Sequence, residues 1–172
     1  MARLWSCGFE LQSVTSGIEW DTTTGSPTIN TSTFRGGAAA LRVNPSAAAW
    51  YITHQYKASG TSNNDYLRFY LRIASATNTA ATAIALFRST TSGNVCSIRL
   101  NTNNTLELWN EQTSAQLGSD SSALSTDTWY RIELVFDRAA AETRGYINGS
   151  MFAYGQQATT VTTSDFRLGA ID

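Results

Sequence analysis

Apolar and polar residues alternate with a period of two along much of the chain. From Tyr66 to Ile73, the side chains of Leu67, Phe69, Leu71 and Ile73 fall on one side, and those of Tyr66, Arg68, Tyr70 and Arg72 on the other. From Trp129 to Asp137, Tyr130, Ile132, Leu134 and Phe136 alternate with Trp129, Arg131, Glu133, Val135 and Asp137. Cys96, Ile98 and Leu100 alternate with Ser97 and Arg99, and Leu41 and Val43 bracket Arg42. A two-residue period is that of a pleated strand, and a single apolar face per strand predicts antiparallel sheets packed face to face. No stretch holds a 3.6-residue apolar period with helix caps. The pattern predicts strands over Leu4–Phe9, Ala40–Asn44, Trp50–Gln55, Asp65–Ala74, Thr82–Thr90, Asn94–Asn101, Thr105–Asn110, Thr128–Asp137, Thr143–Asn148, Met151–Tyr154 and Asp165–Ile171. The predicted fold class is all-β, an antiparallel two-sheet sandwich.

Two turns are readable at residue level. Thr102-Asn103-Asn104 is a short polar connection in which Asn can take the left-handed conformation, and Asn148-Gly149 is a strong two-residue hairpin signal. The segment Thr15–Gly37, broken by Gly17, Gly25, Pro27 and Gly36, reads as irregular chain crossing one edge of the sandwich. Ser114–Thr126 reads as a polar connection.

Composition agrees with this picture. In 172 residues, 24 Thr and 19 Ser make a quarter of the chain hydroxylic, and Thr favours half-buried pleated surfaces. The length and the 42% hydrophobic content suit one sandwich domain spanning 1–172. Burying each inward Leu, Ile or Phe contributes roughly 1.5–3 kcal/mol before conformational entropy is subtracted, so the core needs neither metal nor disulfide.

A formal net charge of −1 provides no field that would draw the whole molecule to nucleic acid or anionic lipid, so neither is expected as a partner. Apolar runs are far shorter than the roughly 20 residues of a membrane span. Met1-Ala2-Arg3-Leu4-Trp5 runs straight into strand-like sequence without the regions of a secretory leader, so synthesis in a cytoplasm is expected. In that reducing setting Cys7 and Cys96 are expected as buried thiols, although a bridge between them is open if their strands are neighbours.

The pattern carries a moderately specific resemblance. Cys7-Gly8-Phe9-Glu10, the stretch from Gly36 to Val43, the stretch from Tyr66 to Arg72, Asp127-Thr128-Trp129 leading to Asp137, and Tyr146-Ile147-Asn148-Gly149 together resemble the concanavalin A-like lectin and glucanase superfamily. The laminin G-like jelly roll is the nearest subgroup. In that family a Trp opens a core strand ending in Asp, and the next hairpin carries an Asn-Gly turn. Members finish with one more strand beside the first, so the resemblance implies either a shortened chain or an edge supplied by another protomer. The fold hosts lectins, glycoside hydrolases, polysaccharide lyases, adhesion modules and phage virion proteins, and residues must choose among them.

Catalytic chemistry finds little support. A retaining glycosidase needs carboxyl groups about 5–5.5 Å apart, whereas Glu133 and Asp137, on one strand face, are separated by roughly 13 Å. His54 and Gln55 have opposite parity, so they cannot line one face as a lyase pair. There is no Gly-x-Ser-x-Gly elbow, phosphate loop or zinc spacing. No cofactor is expected. Calcium is the one metal the resemblance keeps open, with candidate oxygens in Asn63-Asn64-Asp65 and between Asp120 and Asp127, where polar turn residues capping strands explain the same pattern.

The outward face remains. Tyr66, Arg68, Tyr70 and Arg72 form an aromatic and guanidinium stripe, and Arg99, Trp129 and Arg131 extend it if their strands share that sheet. Such a surface suits an acidic glycan or a protein partner, and ordinary cross-strand packing with Glu133 and Glu107 is the plain alternative. The expectation is a non-catalytic binding or assembly module. By its resemblance it is expected in a phage virion, as a tail adhesin or capsid decoration protein bound to other virion proteins, to itself or to a surface glycan. The competing readings are a polysaccharide-cleaving lyase or glycoside hydrolase and a free lectin.

Overall fold

The computed structural model describes residues 7, 9, 11–44, 49–55, 64–75, 80–157 and 161–171. Its thirteen strands are β1 (Thr22–Thr24), β2 (Thr28–Asn30), β3 (Ala40–Arg42), β4 (Trp50–Gln55), β5 (Asn64–Arg72), β6 (Thr82–Ser89), β7 (Gly93–Leu100), β8 (Leu106–Asn110), β9 (Ala115–Leu117), β10 (Trp129–Asp137), β11 (Glu142–Ile147), β12 (Ser150–Gln156) and β13 (Asp165–Ala170). No helix is found among the described residues.

Two antiparallel sheets carry the architecture. One has seven strands in the order β1-β4-β13-β6-β7-β8-β9, the other four in the order β12-β11-β10-β5, and β2 pairs with β3 in a separate hairpin. The inward parity read from the sequence holds. Leu67, Ile132, Leu134 and Phe136 from the four-stranded sheet meet Ala85, Phe87, Cys96, Ile98, Leu106, Leu108 and Phe166 from the seven-stranded one in a single apolar cluster. Ile98, Leu106, Leu108, Ile132, Leu134 and Phe136 have no exposed surface.

Both turns form as expected. Asn104 takes φ 64°, with its N–H donating to the Asn101 carbonyl at 3.1 Å. Asn148 and Gly149 take φ 53° and 89°, positive at both central positions as a type I′ hairpin requires.

The structure corrects three expectations. Residues 15–37 are not simply irregular: β1 adds an edge strand beside β4, and β2 pairs with β3. The connection 114–126 likewise contains β9, paired with β8. Of the strand expected at Leu4–Phe9, residues 4–6 and 8 lie outside the described residues. Cys7 and Phe9 are in no strand, and Phe9 turns the chain with φ 58°.

Cys7 and Cys96 are free thiols. Burial pushes the Cys96 thiol up to about 12, so almost no thiolate exists at neutral pH. An alkylating reagent is therefore expected to label Cys96 only as the protein unfolds, with a denaturant dependence that follows the global transition. Rapid labelling of Cys96 in the native state, read by mass spectrometry, would contradict the packing described here.

Candidate functional site

The registers turn the outward face of the four-stranded sheet into rows that run across the strands. Tyr66, Val135, Arg144 and Tyr154 are successive cross-strand partners, as are Arg68, Glu133, Tyr146 and Met151. Tyr70 lies opposite Arg131, and Arg72 opposite Trp129. At the other end Asn64, Asp137, Glu142 and Gln156 form a polar row. Met151 and Tyr154 are three apart, which ordinary alternation would place on opposite faces. A bulge facing Gly145/Tyr146 restores both to the outside. A Cβ at Gly145 would lie 2.6 Å from the Phe152 ring, so glycine is needed where that ring packs inward.

The face is aromatic and partly desolvated. Tyr66 and Tyr70 are 40% exposed, Met151 50% and Tyr154 58%. Val135 and Glu133 share this outward parity yet are buried. The Glu133 carboxylate accepts from Arg68 Nε at 2.8 Å, and Arg131 Nε lies 3.1 Å from the same oxygen. Arg68 also donates through Nη2 to the Tyr66 hydroxyl at 2.8 Å. Burial, reinforced by Glu133, pushes the Tyr66 phenol above its ordinary range, so it stays neutral. Arg72 Nη2 donates to Asp127 Oδ1 at 2.6 Å.

Loops complete the surface. Arg35, in the connection between β2 and β3, lays its guanidinium 3.7 Å from the centre of the Tyr70 ring. Gly149 at the hairpin tip leaves room for Arg131, whose Nη2 would be 2.6 Å from any Cβ there. A cavity of about 320 Å³ opens beside this tip, lined by Leu124, Tyr130, Ile147, Met151 and Phe152 with Ser121, Ser122 and Ser150.

Six of the seven residues singled out from sequence, namely Tyr66, Arg68, Tyr70, Arg72, Trp129 and Arg131, therefore share this sheet face. Arg99 does not. It lies on β7 in the seven-stranded sheet, where Nη2 bonds both Glu111 carboxylate oxygens at 2.8 and 2.9 Å and the guanidinium rests 4.1 Å from the centre of Trp109. Glu111 also accepts from Ser97 Oγ, and Glu107 from the Trp109 indole N–H and Asn101. Arg99 is thus occupied in a separate network.

Arg35, Arg144, Tyr146, Met151 and Tyr154 went unread in the sequence. The Asn-Gly turn carried the signal for three of them, because a two-residue hairpin places Tyr146 opposite Met151 and sets Arg144 on the same face as Tyr146.

His54 faces Phe166, with ring centroids 5.6 Å apart, and its Nδ1 is 3.2 Å from Asp21 Oδ2. Burial lowers its pKa against the opposing pull of Asp21. Among the candidate calcium positions, Asn63 lies outside the described residues. Asp65 is buried and accepts from Thr163 Oγ1 at 2.6 Å, and Asp120 accepts from Gln116, Thr105 and Asn101. Among the described residues no three His, Cys, Asp or Glu side chains converge as metal ligands.

No protein-family model matches the chain, and no curated protein sequence matches it. Solved structures do resemble it. A sialidase aligns with TM-score 0.61 at 14% identity over 85% of this chain, which spans 13% of the sialidase. The carbohydrate-binding module CBM66 from Bacillus subtilis aligns with TM-score 0.54 at 10% identity, covering 87% of this chain and 88% of that one. The binding domain of Botulinum neurotoxin DC, solved in complex with SialylT, aligns with TM-score 0.54 at 13% identity over 88% of this chain and 38% of that one. At such identities the likeness speaks for fold alone, and the fold is an antiparallel jelly-roll β-sandwich.

Proposed function

We propose that this chain is a non-catalytic glycan-binding module and that the outer face of its four-stranded sheet is the binding surface. The observation that carries this reading is the placement of Tyr66, Tyr70, Trp129, Tyr146 and Tyr154 on one sheet face among the guanidiniums of Arg68, Arg72, Arg131 and Arg144. Aromatic rings stack on sugar faces, guanidinium forks hold hydroxyls and anionic groups, and a sheet presents both without rearrangement. The similarity to a carbohydrate-binding module along most of both chains supports this class of function.

The chemistry of the face supports binding over cleavage. Its most enclosed carboxylate, Glu133, is held by two arginines, and its Tyr66 phenol is shifted away from the tyrosinate that a lyase base would need. Within the binding class, we assign the chain to a virion as a tail adhesin or capsid decoration protein. That assignment rests on the sequence resemblance and on a surface rich in Arg and nearly free of Lys, as in lasting protein contacts.

A panel of neutral and acidic polysaccharides tests the module reading. Binding without release of reducing ends or unsaturated sugars is expected. The pair Tyr66→Ala and Tyr154→Ala should weaken affinity at least about tenfold, as truncated aromatic anchors do. Product formation, or affinity indifferent to both substitutions, overturns the reading. Failure of the protein to dock on any purified phage particle counts against the virion assignment alone.

A further inference from the structure

The charges on this face are not evenly spread. Tyr70 carries the Arg35 guanidinium over its ring, its cross-strand partner on β10 is Arg131, whose guanidinium reaches Glu133 and the Gly149 tip, and Arg68 and Arg72 flank it two residues away on the same strand. Among the described residues two carboxylates answer these guanidiniums. Glu133 is shared by Arg68 and Arg131, and Asp127 is paired with Arg72. Among the described residues Arg35 makes no ion pair, and its contact is the Tyr70 ring.

The opposite end has no such surplus, since Arg138 and Arg144 stand beside Asp137 and Glu142. There Asp137 and Glu142 share Arg144, whose Nη2 is 3.8 Å from Asp137 and whose Nε bonds Glu142. The rows of Asp137 and Trp129 are eight residues apart along β10, about 27 Å at strand rise. A protein of net charge −1 therefore carries a local surplus of positive charge at one end of an aromatic platform.

Resting on the glycan-binding reading above, we infer that the Tyr70 end is the subsite for the carboxylate of an acidic sugar, a uronate or a sugar acid of similar charge, gripped by Arg35 and Arg131. A planar carboxylate matches the fork of a guanidinium. Arg131 is held in place by its strand and by the Asn148–Gly149 turn, with the Asn148 side-chain oxygen accepting from the Arg131 main-chain N–H at 2.9 Å. Arg35 is supplied by an exposed connection and rests on Tyr70, so it can close over a bound ring. The polarity also sets direction: the charged sugar lies toward Tyr70, and uncharged rings lie toward Tyr66 and Tyr154.

Titration calorimetry with short oligouronates, set against the same oligosaccharides with their carboxyls reduced to alcohols, tests this. The intact protein is expected to prefer the uronate by about tenfold or more, the worth of a charge-assisted hydrogen bond, with the preference shrinking as salt rises. Arg35→Ala, in an exposed loop whose loss leaves the sheets intact, should remove most of that preference, and Arg131→Ala should do the same. Arg42→Ala, which deletes an exposed guanidinium on β3, should leave it unchanged.

Equal binding of both oligosaccharides, or a preference insensitive to Arg35 and Arg131, overturns this inference and leaves the module reading standing. Binding of neither removes both. Polyglutamate bound as tightly as oligouronate would assign the subsite to an acidic protein partner and overturn it too.

Discussion

Phe136→Ala is expected to lower the free energy of unfolding by about 3–5 kcal/mol, the range for truncating a fully buried Phe. Phe136 has no exposed surface and sits on β10, the strand that pairs with both β5 and β11. Its ring belongs to the cluster shared by the two sheets, so the cavity would open at the joint between layers. Because a typical domain is stable by about 5–15 kcal/mol, this change removes a large share of the total. Should the alanine variant fail to fold, Phe136→Leu offers a smaller loss in the same direction. Tyr154→Ala, exposed on the outer face of the four-stranded sheet, should shift the denaturation midpoint little. Equal losses at Phe136 and Tyr154 would contradict the assignment of inner and outer faces.

A comparable loss is expected from Gly169→Ala, for a different reason. Gly169 lies on β13 opposite Tyr51, with φ 139°. A Cβ there would meet the Trp50 carbonyl oxygen at 2.3 Å and the Tyr51 Cα at 2.7 Å. Those atoms are backbone and cannot swing aside as a side chain could. Overpacking costs about 1–3 kcal/mol and a non-glycine residue at such a φ about 1–3 more, so a loss of about 2–6 kcal/mol is expected in chemical denaturation. Gly36→Ala is the control. A Cβ there meets nothing within 4 Å, and its effect should stay within about 0.5 kcal/mol. A Gly169→Ala protein as stable as the parent would rule out this pairing of β13 with β4.

What the sequence showed, and what it hid, follows from how far each signal reaches along the chain. The alternations of Leu67 to Ile73 and of Tyr130 to Phe136 each state which side chains point inward, and both were legible because a pleat repeats every two residues. Thr22-Thr23-Thr24 and Ala115-Gln116-Leu117 were missed because strands of three residues without an apolar rhythm exist through their neighbours β4 and β8.

The candidate site divides the same way. The period of Arg99 correctly placed it facing out, but a local period cannot tell which sheet a strand joins, and β7 pairs with β6 and β8 rather than with β5 or β10. Arg35 was beyond reach for a similar reason. Its contact with Tyr70 joins a loop and a strand that have no common pattern, and only the folded chain brings them together.

The position of β13 has a consequence for the order in which the molecule can be assembled. It lies between β4 and β6, so the larger sheet stays in two halves until residues 165–170 have left the ribosome. Each half meanwhile presents an unpaired edge, open to pairing with another nascent chain. The smaller sheet needs nothing made after residue 156 and can form first, so the layer proposed to hold sugar is complete before the layer that supports it has closed.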